Sequence, residues 1–498
     1  MRMLGLAIAL ALLLVGTATA KTIVGKNPKG ERIVGTRGPD VIGGGPGPDQ
    51  IFGLAGNDRI SAEYGGRDRV KCGAGLDVVT ADAADAVASD CEVVSRRISR
   101  DLSTDARAQH ESEVEPDSFT VGHTTVATFQ VGRFADGGAA AIGFAVSSDD
   151  GRTWHNGILP GLTQTGSPPG SAPRASDPAV GYDALHGVWL IATLALDGQT
   201  TRLTISRSTD GLHWSTPLVA AEASSSANIT FDKEWIACDN GSTSPFAGRC
   251  YLVYSDVLHG DVIAAKWSSD GGLTWSGQVQ VSATDGVGVI PVVRPSGDLV
   301  LVYLAHESRI ESAVSTDGAV SFSAPIVVSP VSVHPERGLR FSPLPSADVD
   351  ASGRVWATWH DCRFSPVCAA NSVVVTTSLD GRTWSAPTAA TSGRDAVQPS
   401  LGIDPASGRA AIAYYAIRAN GIDCELVVQR PGGSGWSAPR RLSARTMAVP
   451  WLPSTASGRM LGDYISVSWS GSRPLVVWAL ASPPVGSALR QAIYATRG

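Results

Sequence analysis

Two different periods of apolar and polar positions run along this chain. Over residues 35 to 90 an apolar residue repeatedly follows an aspartate by two positions. Ile42, Ile51, Ile60, Val70 and Val79 follow Asp40, Asp49, Asp58, Asp68 and Asp77 in this way. The aspartates keep a nine-residue step with one insertion, and glycines such as Gly44-Gly45 and Gly65-Gly66 fill the gaps. Apolar positions at a fixed short step, divided by glycines that turn the backbone, predict a small β-solenoid with the apolar side chains stacked inside. From about residue 116 the texture changes. Short β-branched runs alternate with turn residues, as in Asp177 to Asp183 followed by Val188 to Thr193. This second pattern predicts antiparallel strands and an all-β domain.

A turn phrase punctuates the second pattern. Ser-x-Asp-x-Gly-x-Thr-Trp stands in full at Ser147 to Trp154 and at Ser268 to Trp275, and Phe322 closes a third copy that starts at Ser315. Ser208 to Trp214 and Ser378 to Trp384 are one residue shorter, and a worn copy ends at Trp436. The closing aromatics stand 47 to 62 residues apart. A fixed step of that length, with four strands to a unit, selects a β-propeller. Units start near Asp117, Asp177, Asp232, Gly288, Pro345, Gln398 and Gly462. Seven blades are therefore expected, with six as the alternative because six phrases are visible. The last unit runs out before an outer strand, so an N-terminal strand is expected to close the ring.

The turn phrase resembles the Asp box, or BNR repeat, of the sialidase superfamily over residues 116 to 498. Longer phrases, Asp232 to Ala237, Trp359 to Phe364 and Gly462 to Ile465, look like those of secreted bacterial sialidase-like propellers. The resemblance implies a structural role for Asp149, Asp210, Asp270, Asp317 and Asp380, which would satisfy backbone N–H groups of tight turns. The nine-residue run resembles the nonapeptide of RTX proteins, which form a calcium-loaded parallel β-roll. It implies calcium as the bound ion and Asp40, Asp49, Asp58, Asp68 and Asp77 as metal residues. The physics agrees, because glycines at positive φ expose carbonyl oxygens and calcium takes about six to eight oxygen ligands. The expected order is a signal peptide at 1–20, a β-roll at 21–94, a linker at 95–115, of which a segment could instead add a strand to the next domain, and a propeller at 116–498.

Composition adds location and partners. Arg2, the apolar run Leu4 to Val15 and the small residues Thr17 to Ala20 read as a secretory signal peptide. No later segment is long enough to span a membrane. A net charge of −6 argues against nucleic acid as a partner. Seven cysteines in an exported chain suggest local disulfides, Cys72 with Cys91, Cys238 with Cys250 and Cys362 with Cys368, leaving Cys424 over. The expected protein is a monomer.

Catalysis is less legible than fold. By resemblance, a sialidase grips a carboxylate with three arginines and uses a Tyr–Glu pair with an Asp acid/base. The Arg-Ile-Pro phrase that carries the first arginine in that family is missing here, and Pro173-Arg174 is the nearest fragment. The remaining candidates are Arg340, Arg363, Asp177, Asp361 and Tyr464, the last with Glu336 or Glu234. His360-Asp361 with Arg363 forms a local cluster flanked by Cys362 and Cys368. Asp177, Asp232, Lys233, Gln398 and Asp463 each precede or begin an inner strand; they are read first as caps of strand ends that bind neighbouring blades' backbones, and alternatively as residues at one rim of the central funnel. The sequence thus predicts a secreted calcium-binding protein whose propeller binds an extracellular glycan or surface polymer. The alternative is an exo-α-sialidase-type glycoside hydrolase.

Overall fold

The computed structural model describes residues 20–226, 229–336, 338–393, 395–433 and 435–498. The stretch read as a signal peptide lies, up to residue 19, outside the described residues. Among the described residues no helix is long and apolar enough to cross a membrane. The chain forms two compact units, one of residues up to 79 with 84–92, the other of 80–83 with 93–498.

The first unit is a parallel solenoid. Thr22 pairs with Val41 and Val41 with Arg59 along one side, while Arg32 pairs with Gln50 and Gln50 with Arg69 along the other. Partners are thus 18 or 19 residues apart, so one coil consumes two nine-residue motifs. The aspartates consequently sort into two ladders, Asp40 with Asp58 and Asp77, and Asp49 with Asp68. Between the ladders lie Ile33, Ile42, Ile51, Ile60, Val70 and Val79, all buried. Gly45 and Gly47 turn the backbone at φ 80° and 103°, where a β-carbon would strike the backbone of the neighbouring coil. The Cys72–Cys91 disulfide ties the last coils.

The second unit is built from antiparallel meanders. Val114–Val121 opens the first, Arg174–Asp183 the second and Phe231–Cys238 the third. The long strand Val279–Val293 ends the third meander and begins the fourth. Ser346–Val349 and Asp395–Ile403 open the next two. Ser466–Ser470, Arg473–Ala481 and Gln491–Arg497 form the last, and Val93–Arg97 pairs antiparallel to Gln491–Arg497 as its fourth strand. Among the described residues this makes seven four-stranded meanders.

The first strands touch one another in succession, and the last touches the first. Hydrogen bonds stitch the circle. Asp117 Oδ2 accepts from the Val180 amide at 2.8 Å, Asp348 Oδ2 from Ile403 at 2.7 Å, and Ser466 Oγ from Ser118 at 2.9 Å. The architecture is a propeller, with a channel enclosed by the first strands. The stretch expected to link the domains differs from a plain tether. Val93–Arg97 covers the free edge of the last meander, and Val114 and Glu115 already belong to the first inner strand.

The repeated phrase folds as a closed turn. Asp270 Oδ1 accepts from the Leu273 and Thr274 amides at 3.0 Å, and Oδ2 accepts from Thr274 Oγ1 at 2.6 Å. Asp149, Asp210, Asp317 and Asp380 repeat the two amide contacts. Replacing Asp270 with alanine should cost about 1–2 kcal/mol, as loss of a comparable helix cap does. Calorimetry should show a lowered melting temperature, with Asp270→Asn retaining part of the loss because it keeps one acceptor. Cys238–Cys250 and Cys362–Cys368 are both formed, and Cys424 is a buried free thiol.

Candidate functional site

Four of the inner strands carry the same irregularity. Glu115, Asp177, Lys233 and Gln398 all sit at positive φ, between 48° and 53°, each at a register shift near the start of its strand. Gly288, at φ 64°, occupies the matching shift in a fifth strand. A bulge re-aims one side chain, and a non-glycine residue held at positive φ costs on the order of 1–3 kcal/mol. Pro116, Pro178 and Pro399 follow three of these residues, so those bulges leave no amide donor stranded. The strain is repeated around one end of a cavity of about 520 Å³ that lies within the ring.

The re-aimed side chains meet there. Lys233 Nζ stands 2.7 Å from Asp463 Oδ2, 2.8 Å from Asp177 Oδ1 and 3.1 Å from Glu115 Oε1. Arg340 Nη2 reaches the same Asp463 oxygen at 2.6 Å. Gln398 Nε2 donates to the Gly462 carbonyl, and Gln130 Nε2 to Glu115 Oε2. Burial opposes the charge on Lys233, but Asp177, Asp463 and Glu115 outweigh it and hold its pKa well above the ordinary lysine value. Burial likewise opposes ionisation of Asp463 and Asp177, yet Lys233 keeps both below the usual carboxylate range, helped at Asp463 by Arg340. Glu115 goes the other way, pushed up to about 8 by burial against the pull of Lys233. Lys233 and Arg340 are thus each engaged by carboxylates, and burial displaces Glu115 toward its protonated form.

Glu234, next to Lys233, is 1% exposed and contributes to the cavity wall. Neither of its carboxyl oxygens has a hydrogen-bond partner. Burial, and then the Asp177 charge, raise its pKa well above normal. Asp232 is pushed up to about 7 by burial and Asp177.

The sequence candidates separate into three places. Asp177, Asp232, Lys233, Arg340, Gln398, Asp463 and Tyr464 come together at this end of the channel. Arg174 lies apart, paired with Asp136 at 2.7 Å and stacked over Phe134. Arg363 pairs with Asp361 at 2.6 Å and also donates to the Pro330 carbonyl. Asp361 further accepts from Trp359 Nε1 at 3.2 Å. The neighbouring His360 is fully buried, and burial lowers its pKa to about 3. The three arginines thus occupy three separate ion pairs. The Tyr464 hydroxyl donates to the Pro178 carbonyl at 3.2 Å, and its ring meets Trp235 edge-on at 5.0 Å. Burial, then Glu115 and Asp177, raise its pKa well above the ordinary tyrosine value. Sequence reading missed Glu115. The signal was present, since Glu115-Pro116 repeats the polar–proline pair of Asp177-Pro178 and Gln398-Pro399.

The aspartate ladders of the first unit form a second candidate site. Asp58 Oδ1 accepts from the Asp40 amide, Asp77 Oδ1 from the Asp58 amide and Asp68 Oδ1 from the Asp49 amide, each at 2.8 Å. The second oxygens of Asp49, Asp58 and Asp77 are buried without any hydrogen-bond partner. Glycine keeps the space beside them open. A β-carbon on Gly44 would lie 3.2 Å from Asp68 Oδ2 and 3.3 Å from Asp49 Oδ2. One on Gly65 would meet the carbonyl oxygens of Gly45 and Gly47 at 2.9 and 3.0 Å. Burial, and then Asp77 and Asp40, push Asp58 up to about 6. Bare carboxylate oxygens in a glycine-lined space near backbone carbonyls match the oxygen-only shell of a hard cation.

Residues 29–63 match the RTX calcium-binding nonapeptide repeat in four copies. The chain therefore carries calcium-binding repeats at its N-terminal end. No curated protein matches the chain. Among solved structures, a Hadza microbial sialidase, Hz136, is 16% identical, covers 64% of this chain and 66% of its own, and has a TM-score of 0.44. The NanB sialidase of Streptococcus pneumoniae is 12% identical over 80% of this chain and 70% of its own, with a TM-score of 0.42. An α-L-arabinanase of Penicillium chrysogenum is 12% identical over 80% and 96%, again with a TM-score of 0.42.

Proposed function

We propose that this is an exported binding protein whose propeller takes an uncharged, hydroxyl-rich ligand, such as the end of a glycan or surface polymer, in its channel. The observation that carries this reading is the neutralisation of both cations at the site. Lys233 is shared by Asp177, Asp463 and Glu115, and Arg340 is held by Asp463. A carboxylate ligand such as a sialoside would find Lys233 and Arg340 already engaged and several acidic groups to repel it. Sugar hydroxyls suit the same lining. They can donate to these carboxyl groups, Glu234 among them, whose oxygens have no protein partner. The calcium of the first unit is assigned to Asp40, Asp58 and Asp77 on one ladder and to Asp49 and Asp68 on the other. The ion would neutralise the ladders and hold successive coils together. The repeats and disulfides fit an extracellular setting.

A glycan array probed with the full chain in calcium should return neutral glycans in preference to sialylated ones. Glu234→Leu should weaken that binding about tenfold, the worth of one hydrogen bond of roughly 1.4 kcal/mol. Release of 4-methylumbelliferone from its sialic acid conjugate, abolished by Tyr464→Phe, would overturn this reading in favour of a hydrolase.

A further inference from the structure

We propose a transition-metal site on the second unit, formed by His334, Glu336 and Asp395, for a zinc-class divalent cation. One ligand atom from each of these residues lies within 4.8 Å of the others. They come from two segments far apart in sequence. His334 and Glu336 flank Pro335 on the loop before Ser346–Val349, and Asp395 opens the strand that carries Gln398.

Two independent features mark this as a built site rather than a chance grouping. The first is the imidazole. His334 Nδ1 lies 2.9 Å from the Cys368 carbonyl, an acceptor, so Nδ1 carries the hydrogen and Nε2 presents its lone pair. That lone pair faces Glu336 Oε1 at 3.9 Å. A histidine whose other ring nitrogen is tied to a carbonyl is the usual posture of a metal ligand. The second is Glu336 Oε1 itself, which has no hydrogen-bond partner and no solvent contact. His334 Nε2, Glu336 Oε1 and the Asp395 carboxylate therefore converge on one point. A cation placed among them satisfies all three.

The surroundings fix the ligands in place. Asn371, fully buried, donates to Asp395 Oδ1 from its amide at 2.8 Å and from Nδ2 at 3.2 Å. Its side-chain oxygen accepts from the His334 amide at 2.8 Å, and Nδ2 also donates to the His334 carbonyl at 2.8 Å. One asparagine thus sets both ends of the site, and the Cys362–Cys368 disulfide anchors the carbonyl that orients the imidazole. The donor set decides the metal. Calcium and magnesium prefer oxygen throughout, whereas one imidazole with two carboxylates suits zinc. Three protein ligands leave a coordination position for water or a ligand oxygen.

The test uses the full chain, stripped with EDTA and then saturated with calcium so that the nonapeptide repeats are filled. Isothermal titration with zinc should show one site per chain that excess calcium does not displace. His334→Ala should weaken it at least tenfold, and Glu336→Gln, which keeps the side-chain shape, should do the same. Cobalt should give a visible absorption band in the wild type that His334→Ala abolishes. The proposal fails if zinc binding is absent, if both variants bind as the wild type does, or if calcium competes at equal concentration.

Discussion

Lys233→Met is expected to destabilise the propeller by about 3–5 kcal/mol, the usual result of removing one partner from a buried ion pair. Methionine fills nearly the same volume, so the loss reports charge and not a cavity. The ammonium touches carboxylates from two other inner strands, Glu115 and Asp177, and from Asp463 just before a third. Without it Arg340 still serves Asp463, but Asp177 is left buried with no opposite charge in contact. The effect should exceed that of Asp270→Ala, whose turn lies at the surface. It should also depend on pH. Lys233 keeps the pKa of Asp177 below the unfolded value. That contribution is present above the unfolded carboxylate pKa, near 4, and is lost as pH falls through the folded value. The gap between wild type and variant should therefore be largest near neutrality and shrink on acidification, as the variant protonates Asp177. Scanning calorimetry at two pH values reads both claims. An unchanged melting temperature at neutral pH would mean that the cluster is spectator chemistry.

The features legible in the sequence are those with a local cause. The nine-residue step of aspartates and the apolar residues after them follow from one coil's geometry, and Ile42, Ile51 and Ile60 are buried as expected. Each cysteine pair joins residues at most 19 apart. What the sequence left open depends on contacts between distant strands. Nothing local says that one coil spends two motifs, so the split into two aspartate ladders emerges only with the parallel register. Arg174, Arg340 and Arg363 look interchangeable as letters, yet Asp136, Asp463 and Asp361 take one each. Glu115 was overlooked because the first strand begins earlier than its apolar pattern suggests. The bulge that turns Glu115 inward has no signature beyond the proline after it. His334 and Asp395 meet only because two neighbouring meanders stand side by side in the ring.

Removing calcium should loosen the first unit selectively. An ion that binds only the folded state stabilises it by about 2.7 kcal/mol when its concentration is 100 times its dissociation constant. Amides that depend on that ion should lose protection by roughly 100-fold, since 1.4 kcal/mol is tenfold. The expected amides are those of Asp40, Asp49 and Asp58, each of which donates to an aspartate on the next coil. Without a cation the buried second oxygens of Asp49, Asp58 and Asp77 have no protein donor. The ladders must then take up protons or spread apart, and spreading breaks those same amide bonds. Two covalent and apolar restraints remain. Cys72–Cys91 closes a loop of 19 residues, worth about 3 kcal/mol, and the isoleucine stack is indifferent to EDTA. Chelation alone should therefore raise exchange across residues 35–79 without full unfolding, and chelation with a reductant should unfold the coils. Asp58→Ala, which removes the central rung of one ladder, should reproduce much of the EDTA effect in calcium and make the chain less responsive to chelation. Identical exchange in EDTA and in calcium would show that the solenoid stands on its isoleucine core alone.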